Sequence, residues 1–483
     1  MYKNILWGAG IVSLFTVTSC DKIEDFKDTS TNPNQTTTPI PSALLTNVES
    51  NMGAQLGFDA GGINTGSGLY AQYYSETQYT EVSRYNKPNY NYDTYYGGSI
   101  EDLQNIINYN SDPNTADAAA VFGSNNNQIA IARILKAHYI KFLTDAVGDL
   151  PYFDAFNGST GVITVKYDAQ QAIYTDLLKE LKEAVEQFDN GTAVQGDIIF
   201  NGDVSKWKKY ANSLRLLLAL NMRKVDAGTA QSEFVDALNN SAGVIEDNSD
   251  NVTINYPGGV FPQPIFNYYV LTQRLDFAVS ETMTDQLSST NDPRSAVFAS
   301  STKGFPYGLT RDDAVAFAGA NADWARILAG TNTPTNSSWT LLSAANVYLA
   351  RAEAAQLGWT SEVIWDGSGN GVYEKGVAAS FAQWGVDGSV YVSSLTDPSE
   401  EDIATQEWLA FYPNGLEGWD IYRRTGFPTL TPAPGTTSGI PRRATYGVRD
   451  YSYNSSNVGA AAANYTVNGQ PDSQWGRIWW DKQ

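Results

Sequence analysis

Three carboxylates, Asp145, Asp149 and Asp154, follow one another closely around Gly148 and Pro151. Two carboxylates roughly 5 to 10 Å apart are sufficient to hydrolyse a glycosidic bond, so this cluster is the main catalytic candidate in the chain. A chain with 52 Asp and Glu residues contains such clusters by chance, however. We therefore expect the segment to be structural and the protein not to be an enzyme, with glycoside hydrolysis as the less favoured alternative.

The chain contains one histidine and one cysteine, which leaves little basis for chemistry that needs these residues. His138 is the only histidine, it lies in a helical pattern beside Tyr139, and the chain has no Gly-x-Ser-x-Gly motif, which argues against an acyl-transfer triad. One histidine and one cysteine give zinc no ligand set. The acidic turn from Asp247 to Asn251 offers oxygen ligands but lacks the glycine and the distal glutamate of a calcium-binding hand. We expect no metal site and no cofactor, and calcium stays an open alternative.

Two adjacent arginines, Arg423 and Arg424, stand close to Trp419 in the sequence. Guanidinium groups can hold a ligand carboxylate or stack on an aromatic face. We expect these two instead to form buried ion pairs with acids such as Glu407.

Aromatic residues flanked by amides and charges are the favoured binding candidates. The C–H face of a sugar ring packs on an aromatic plane while its hydroxyls bond to polar side chains, so exposed rings beside amides suit a carbohydrate ligand. Packing in the core is the alternative for each ring. The candidate ligand-binding residues are Tyr79, Arg84, Tyr85, Tyr90, Tyr307, Trp324 and Trp339.

Cys20 is the only cysteine, and it ends a short apolar segment. It follows Lys3, an apolar stretch from Ile5 to Val17 and two small residues. As a helix this stretch spans about 20 Å, against about 30 Å for a bilayer core, which predicts a signal peptide over residues 1–19 and not a membrane span. We predict cleavage before Cys20, lipidation of its thiol, and a polar tether over residues 20–40. A chance cysteine after an ordinary signal is the alternative.

The charge of the chain limits its partners. The formal net charge is −21, and loss of residues 1–19 removes only Lys3, which makes it −22. A surface this acidic repels nucleic acid and anionic lipid headgroups. We expect no nucleic-acid partner, and attachment to a membrane only through the lipid.

The elements that must position these residues are predicted to be mainly helices. Apolar residues recur at helical spacing over about 128–147, 168–188, 341–357, 371–384, 400–411 and 415–424, and Asp203 begins a further helix through Trp207 and Leu218. Asp168 with Gln171 resembles a capping box. Short connections between such helices favour antiparallel pairs, stacked as in helical repeat proteins.

Two regions break the helical pattern. Residues 226–338 are rich in Asn, Asp, Gly and Pro, and residues 70–96 contain nine tyrosines. Irregular segments on a rigid scaffold are where binding residues usually lie. We predict a helical scaffold over about 41–225 and 339–425, with 226–338 as a loop-rich, ligand-facing segment of the same domain, 41–483.

Several motifs together resemble the SusD/RagB family. They are an N-terminal lipobox at Cys20, Gly202–Trp207, Asp292–Arg294, Tyr348–Gly358, Phe411–Gly415 with Trp419, Tyr422–Gly426 and Ile440–Arg443. The match runs over almost the whole mature chain and keeps its order. It departs from the family pattern at Tyr446–Asp450, where relatives more often have a proline and a glutamate.

The resemblance implies a fold and a function. It implies a mainly α fold of tetratricopeptide-like helix pairs with a loop-rich insert, in a lipoprotein on the outer face of the outer membrane of Bacteroidetes-type bacteria. Such proteins bind oligosaccharides and pass them to a SusC-like TonB-dependent transporter, while some branches bind peptides, which is our alternative. In this family the stretch from Asp145 to Phe156 ends a helix, which favours its structural interpretation.

Overall fold

The three helices that the apolar spacing predicts in the N-terminal half, over about 128–147, over about 168–188 and from Asp203, are present close to those bounds. The computed structural model describes residues 39–156 and 164–482. Asp203 caps α8, since its Oδ1 accepts the backbone N–H of Ser205 at 2.9 Å. In this half lie α1 (Pro41–Met52), α2 (Ile63–Tyr70), α3 (Asp93–Tyr95), α4 (Glu101–Ser111), α5 (Ala116–Ala119), α6 (Asn125–Val147), α7 (Gln170–Gln187), α8 (Val204–Asn221) and α9 (Ala227–Leu238).

The helices of the C-terminal half include all four that the pattern predicts there. The prediction of 400–411 coincides with α17, and that of 415–424 falls one residue short of the end of α18. In this half lie α10 (Pro264–Phe266), α11 (Glu281–Ser289), α12 (Ser295–Phe298), α13 (Arg311–Ala320), α14 (Ala344–Gln356), α15 (Val372–Gln383), α16 (Ser389–Ser393), α17 (Glu400–Phe411), α18 (Gly415–Thr425) and α19 (Val448–Ala462).

Neighbouring helices pack side by side, which gives the mainly α fold that the sequence predicts. In one row α4 packs on α6, α6 on α7, α7 on α8 and α8 on α9. In a second row α15 packs on α14, α14 on α17, α17 on α18 and α18 on α2, and α14 also contacts α8. The described residues from Ile40 onward make one compact unit.

Two short antiparallel ribbons connect the irregular segments to this scaffold. Strand β1 (Tyr74–Glu76) pairs with β3 (Phe277–Val279), and β2 (Val252–Asn255) pairs with β4 (Ser338–Leu342). Each ribbon therefore joins the 226–338 segment to a part of the chain distant in sequence.

Buried charges connect four helices of the scaffold. Arg424 of α18 donates to Glu353 of α14 at 2.6 and 3.0 Å, to Glu407 of α17 at 3.0 Å and to Asn221 of α8 at 3.0 Å. Arg223 adds a further bond to Glu353 at 2.9 Å. Because a buried charge without its partner is costly, these contacts fix how the helices meet. The expected pairing of Arg424 with Glu407 is confirmed.

The structure differs from the sequence-based prediction at two places. Asp168 does not cap α7. Its Oδ2 accepts the N–H of Phe153 at 2.9 Å, and the N–H of Gln170 at the helix start donates to Asp149 instead. Within residues 226–338 lie α9, α11 and α13, so helical structure extends past residue 225. The sequence pattern of α9 is short, but its buried Ala230 and Phe234 pack against the scaffold.

The N-terminal predictions fall outside the described residues. They are the signal peptide over 1–19, lipidation of Cys20, and the tether up to residue 38. Within 39–156 and 164–482, no helix is both long and apolar enough to cross a membrane.

Candidate functional site

A wide cleft lies where the two irregular regions meet. It encloses about 1210 Å³ between the end of α1, the segment after β1 and the chain from Tyr256 to Phe277. Tyr79 stands on its wall and is 46% exposed, unlike most tyrosines of the 70–96 region. The cleft is thus bounded by both of the segments that the sequence predicts to face a ligand.

Tyr79 also borders a second hollow. This hollow encloses about 650 Å³ and shares Tyr79, Arg274 and Asp276 with the first cleft. The Arg311 guanidinium lies 5.7 Å from the centre of the Tyr79 ring. An exposed ring between two hollows, with a cation beside it, can stack on a flat ligand and offer hydrogen bonds at the edge.

Charged and amide groups surround this ring. Arg274 Nε donates to Asp276 at 2.6 Å, and the Gln78 amide also donates to Asp276. The Asn267 side chain is exposed at the same cleft. Asp276 is buried and holds Arg274 and Gln78 in place. The exposed side chains of Arg274 and Asn267 can bond to the hydroxyls of a neutral ligand, since together they present donors and an acceptor.

Exposed apolar residues form the outer edge of the cleft. Val260 is 87% exposed and Phe261 is 55% exposed, in a turn where Gly258 and Gly259 have φ of 80° and 64°. Glycine adopts this backbone conformation without steric cost, so the turn can hold the two apolar side chains away from the core. Leu271, also 55% exposed, lies on the same edge.

Glu76 is a buried carboxyl at the base of this cleft. It is 5% exposed and lies in β1, and its Oε2 accepts the N–H and the hydroxyl of Ser83 at 2.8 and 2.7 Å. Burial raises the pKa of Glu76 to about 7, although the bonds from Ser83 oppose the shift. The charge of the cleft wall therefore changes near neutral pH.

The candidates nearest to Tyr79 in sequence occupy different positions. Arg84 is half-buried and donates to the carbonyl of Gly308 at 2.9 Å. Tyr85 is 3% exposed, and its hydroxyl accepts the N–H of Ala433 at 3.1 Å. Tyr90 is buried as well. Arg84 and Tyr85 thus hold the segment after β1 in place, and the rings of Tyr85 and Tyr90 present no face to a ligand in this conformation.

The remaining aromatic candidates are also packed. Tyr307 is half-buried against the core near Tyr85. Trp324 is buried edge-to-face on Phe305, although its residue borders the second hollow, and the Arg326 guanidinium lies 4.3 Å from its ring. Trp339 is buried and donates to Asn414 at 2.8 Å. The structure brings Tyr79 and Trp324 to one hollow and places Trp339 elsewhere.

The carboxylates of the catalytic alternative are bound within the scaffold. Asp145 is fully buried and pairs with Lys141 at 3.0 Å, while Asp149 accepts from Gln170 and Asn464, each at 2.9 Å. Glu353, a buried carboxylate of α14 outside that cluster, is held by two arginines, as described above. Burial lowers the pKa of His138 to about 3, so this imidazole stays neutral and bonds to the Tyr210 hydroxyl. None of these groups lines the cleft.

The carboxylates of the acidic turn from Asp247 to Asn251 also bond to groups within the protein. Asp247 accepts the N–H of Ser249 at 2.8 Å, and Asp250 pairs with Lys209 at 2.6 Å. Across the described parts of the chain, no three His, Cys, Asp or Glu side chains are grouped so that they could hold a metal ion.

Sequence reasoning missed much of the cleft. Val260, Phe261, Leu271 and Arg274 were not candidates, yet they line it. A signal existed for the first two, because apolar residues between Gly258-Gly259 and Pro262 lie in a segment that cannot bury them as a strand or helix. No local pattern distinguishes Leu271 and Arg274.

Comparisons with known proteins give a consistent result. The family model for SusD-like proteins, described as starch-binding and associating with the outer membrane, matches residues 33–447. A solved chitin-binding protein is 26% identical, with 92% of this chain and 100% of that chain covered and a TM-score of 0.73. A chitin-binding SusD homologue from Flavobacterium johnsoniae is 25% identical, with 92% and 98% covered and a TM-score of 0.71. A SusD homologue from Bacteroides uniformis is 25% identical, with 91% and 99% covered and a TM-score of 0.73. Comparison with curated protein sequences gives no match.

The buried carboxyl in the cleft makes stability depend on pH. A raised pKa in the folded state stabilises the protein below pH 4.5, and this stabilisation is lost as pH rises through about 7. From pH 5 to pH 8 we expect native stability to fall by about 2 to 3 kcal/mol relative to Glu76→Gln, measured by urea unfolding. The matched control is Glu186→Gln, an exposed residue of α7 that does not line the cleft, which should keep the native pH dependence. Equal pH profiles for native protein and Glu76→Gln would contradict the assignment.

Proposed function

The chain belongs to the SusD-like family, and from this premise we propose that it captures oligosaccharide at the cell surface and delivers it to a SusC-like TonB-dependent transporter. The family binds carbohydrate, associates with the outer membrane, and consists of binding proteins rather than enzymes. Two of the similar solved proteins are named for chitin binding. Membership of the family implies association with an outer-membrane transporter, and this implication supports the delivery step.

The observation that carries the proposal is the exposed ring of Tyr79. It stands between two hollows, close to Arg311, Arg274 and the amide of Gln78. A sugar ring stacks on the aromatic plane through its C–H face, and the neighbouring polar groups bond to its hydroxyls. We propose Tyr79 as the stacking residue, and the exposed apolar edge at Phe261 as a further contact for a longer chain.

The other candidates contribute by supporting this surface. Arg84 and Tyr85 tie the segment after β1 to Gly308 and Ala433, and Trp324 packs beneath the second hollow. A surface whose supporting residues are already packed loses little freedom when it binds, which favours binding by preformed contacts. Since few groups touch the ligand and most stay hydrated, we expect a dissociation constant on the order of micromolar to millimolar.

We further propose that Cys20 carries the lipid that anchors the protein to the outer membrane. The support is the sequence pattern around Cys20 together with the family's association with the outer membrane. Metabolic labelling with an alkyne fatty acid should label the native chain, and Cys20→Ser should abolish both the label and sedimentation with membranes. Labelling that persists in Cys20→Ser would refute this anchor.

Glycan binding is tested with the soluble chain from Ser30 onward. Titration calorimetry against starch, chitin, plant, algal and host oligosaccharides should show one class that binds. Loss of one stacking contact is worth about 1 kcal/mol, so Tyr79→Ala should weaken that binding roughly fivefold to tenfold. The matched control is Tyr453→Ala, since Tyr453 is 78% exposed on α19 and does not line the cleft.

Three results would contradict the proposal in different ways. New reducing ends after incubation would make the protein a hydrolase. Binding of peptides in place of glycans would support the alternative that the sequence left open. Equal affinities of native protein and Tyr79→Ala would place the glycan at another surface.

A further inference from the structure

A further, smaller cavity lies beside β4 and is separate from the two hollows at Tyr79. It encloses about 330 Å³ between the C-terminal ends of α15 and α17, the start of α14 and the chain around Thr333. This volume is at the lower end of the roughly 300–1,000 Å³ typical of small-molecule sites. None of its lining residues lines the cleft beside Tyr79.

Five residues that line this cavity carry buried polar atoms without a partner among the described residues. The atoms are Gln263 Nε2, Thr333 Oγ1, Asn346 Nδ2, Gln383 Oε1 and Trp384 Nε1. Gln263, Thr333 and Asn346 are themselves 1%, 5% and 3% exposed. Buried polar groups are nearly always hydrogen-bonded, because leaving one unpaired in the interior is costly. Five around one cavity point to a polar molecule that bonds to them.

In two of these side chains, those of Gln263 and Asn346, the amide oxygen already accepts hydrogen bonds from the backbone. Gln263 Oε1 accepts the N–H groups of Ile265 and Phe266 at 2.6 and 2.9 Å. Asn346 Oδ1 accepts the N–H of Ser343 at 2.9 Å. Both amides are therefore held in place by helix starts, with their NH₂ groups left as donors.

The chemistry of the lining specifies the ligand. Trp339, Trp384 and Tyr412 supply aromatic surface, and the polar atoms of Trp339 and Tyr412 are already bonded to Asn414 and to the carbonyl of Phe298. The lining contains no Asp, Glu, Lys, Arg or His. A charged ligand would meet no counter-charge there, whereas a neutral ring with several hydroxyls could satisfy both the donors and the aromatic faces.

We propose that this cavity binds one neutral, hexose-sized sugar ring, at a site separate from the cleft beside Tyr79. The ring is either a free monosaccharide or the end residue of a longer chain, since both present the same hydroxyls. The site does not depend on the proposed function of the cleft.

The test uses the full chain in a detergent without a sugar headgroup. Glucose, galactose, mannose and N-acetylglucosamine are titrated, with glucuronate and glucosamine as charged counterparts and a trisaccharide to separate free from chain-end binding. We expect one neutral sugar to bind and the charged forms to bind at least tenfold more weakly. Thr333→Val removes one hydroxyl at constant size and should lower the affinity about threefold to tenfold.

Two further variants locate the binding. Ala296 is exposed where it lines the cavity, so Ala296→Phe should block entry and abolish binding, whereas Ala378→Phe, on the exposed side of α15, should not. Tyr79→Ala should still show one monosaccharide site, which Ala296→Phe removes, and this separates the cavity from the cleft. The proposal is overturned if no neutral sugar binds, if Ala296→Phe binds as the native chain does, if charged sugars bind equally, or if a crystal soaked in the sugar shows only water there.

Discussion

The ion network around Arg424 is the interaction on which the arrangement of the scaffold depends. It joins α8, α14, α17 and α18 at one buried point, where burial opposes ionisation of Glu353 but Arg424 and Arg223 hold its pKa below the usual range. Burial, with Glu353 beside it, raises the pKa of Glu407, so the two acids differ in their environments. A charge removed from water is tolerated only with its partners in place. We infer that the network fixes how these helices meet, because a shift that broke one pair would leave a buried charge without its partner.

A few hydrogen bonds connect these helices to the strand at the base of the cleft. Trp408 of α17 donates to the carbonyl of Ala71 at 3.0 Å, and Tyr74 donates to the carbonyl of Pro413 at 2.6 Å. These bonds attach β1 and the residues just before it to α17 and to the connection between α17 and α18, and β1 in turn pairs with β3 at the base of the cleft. The segment that carries Tyr79 is thus positioned by the scaffold, while its exposed ring stays outside the core.

The sequence predicts the helices well and the site only in part. Periodicity locates α17 and α18 because their apolar faces are continuous, and Asp203 marks the start of α8 because capping is local. Whether a tyrosine is a platform or a packed ring depends on contacts far away in the chain. Tyr79 and Tyr85 have similar polar neighbours in sequence, but Tyr85 meets Ala433, 348 residues later, and is buried. Trp339 is a candidate by the same pattern, and it lines a different cavity.

A crystal structure of the chain with the oligosaccharide class that binds it tests the central claim most directly. The account predicts a sugar ring stacked on Tyr79, at about 4 Å between carbon atoms, with an intact glycosidic bond and hydroxyls bonded to the polar groups around Arg274. Density for the glycan at another surface with Tyr79 uncovered, or a cleaved glycan in the cleft, would contradict it.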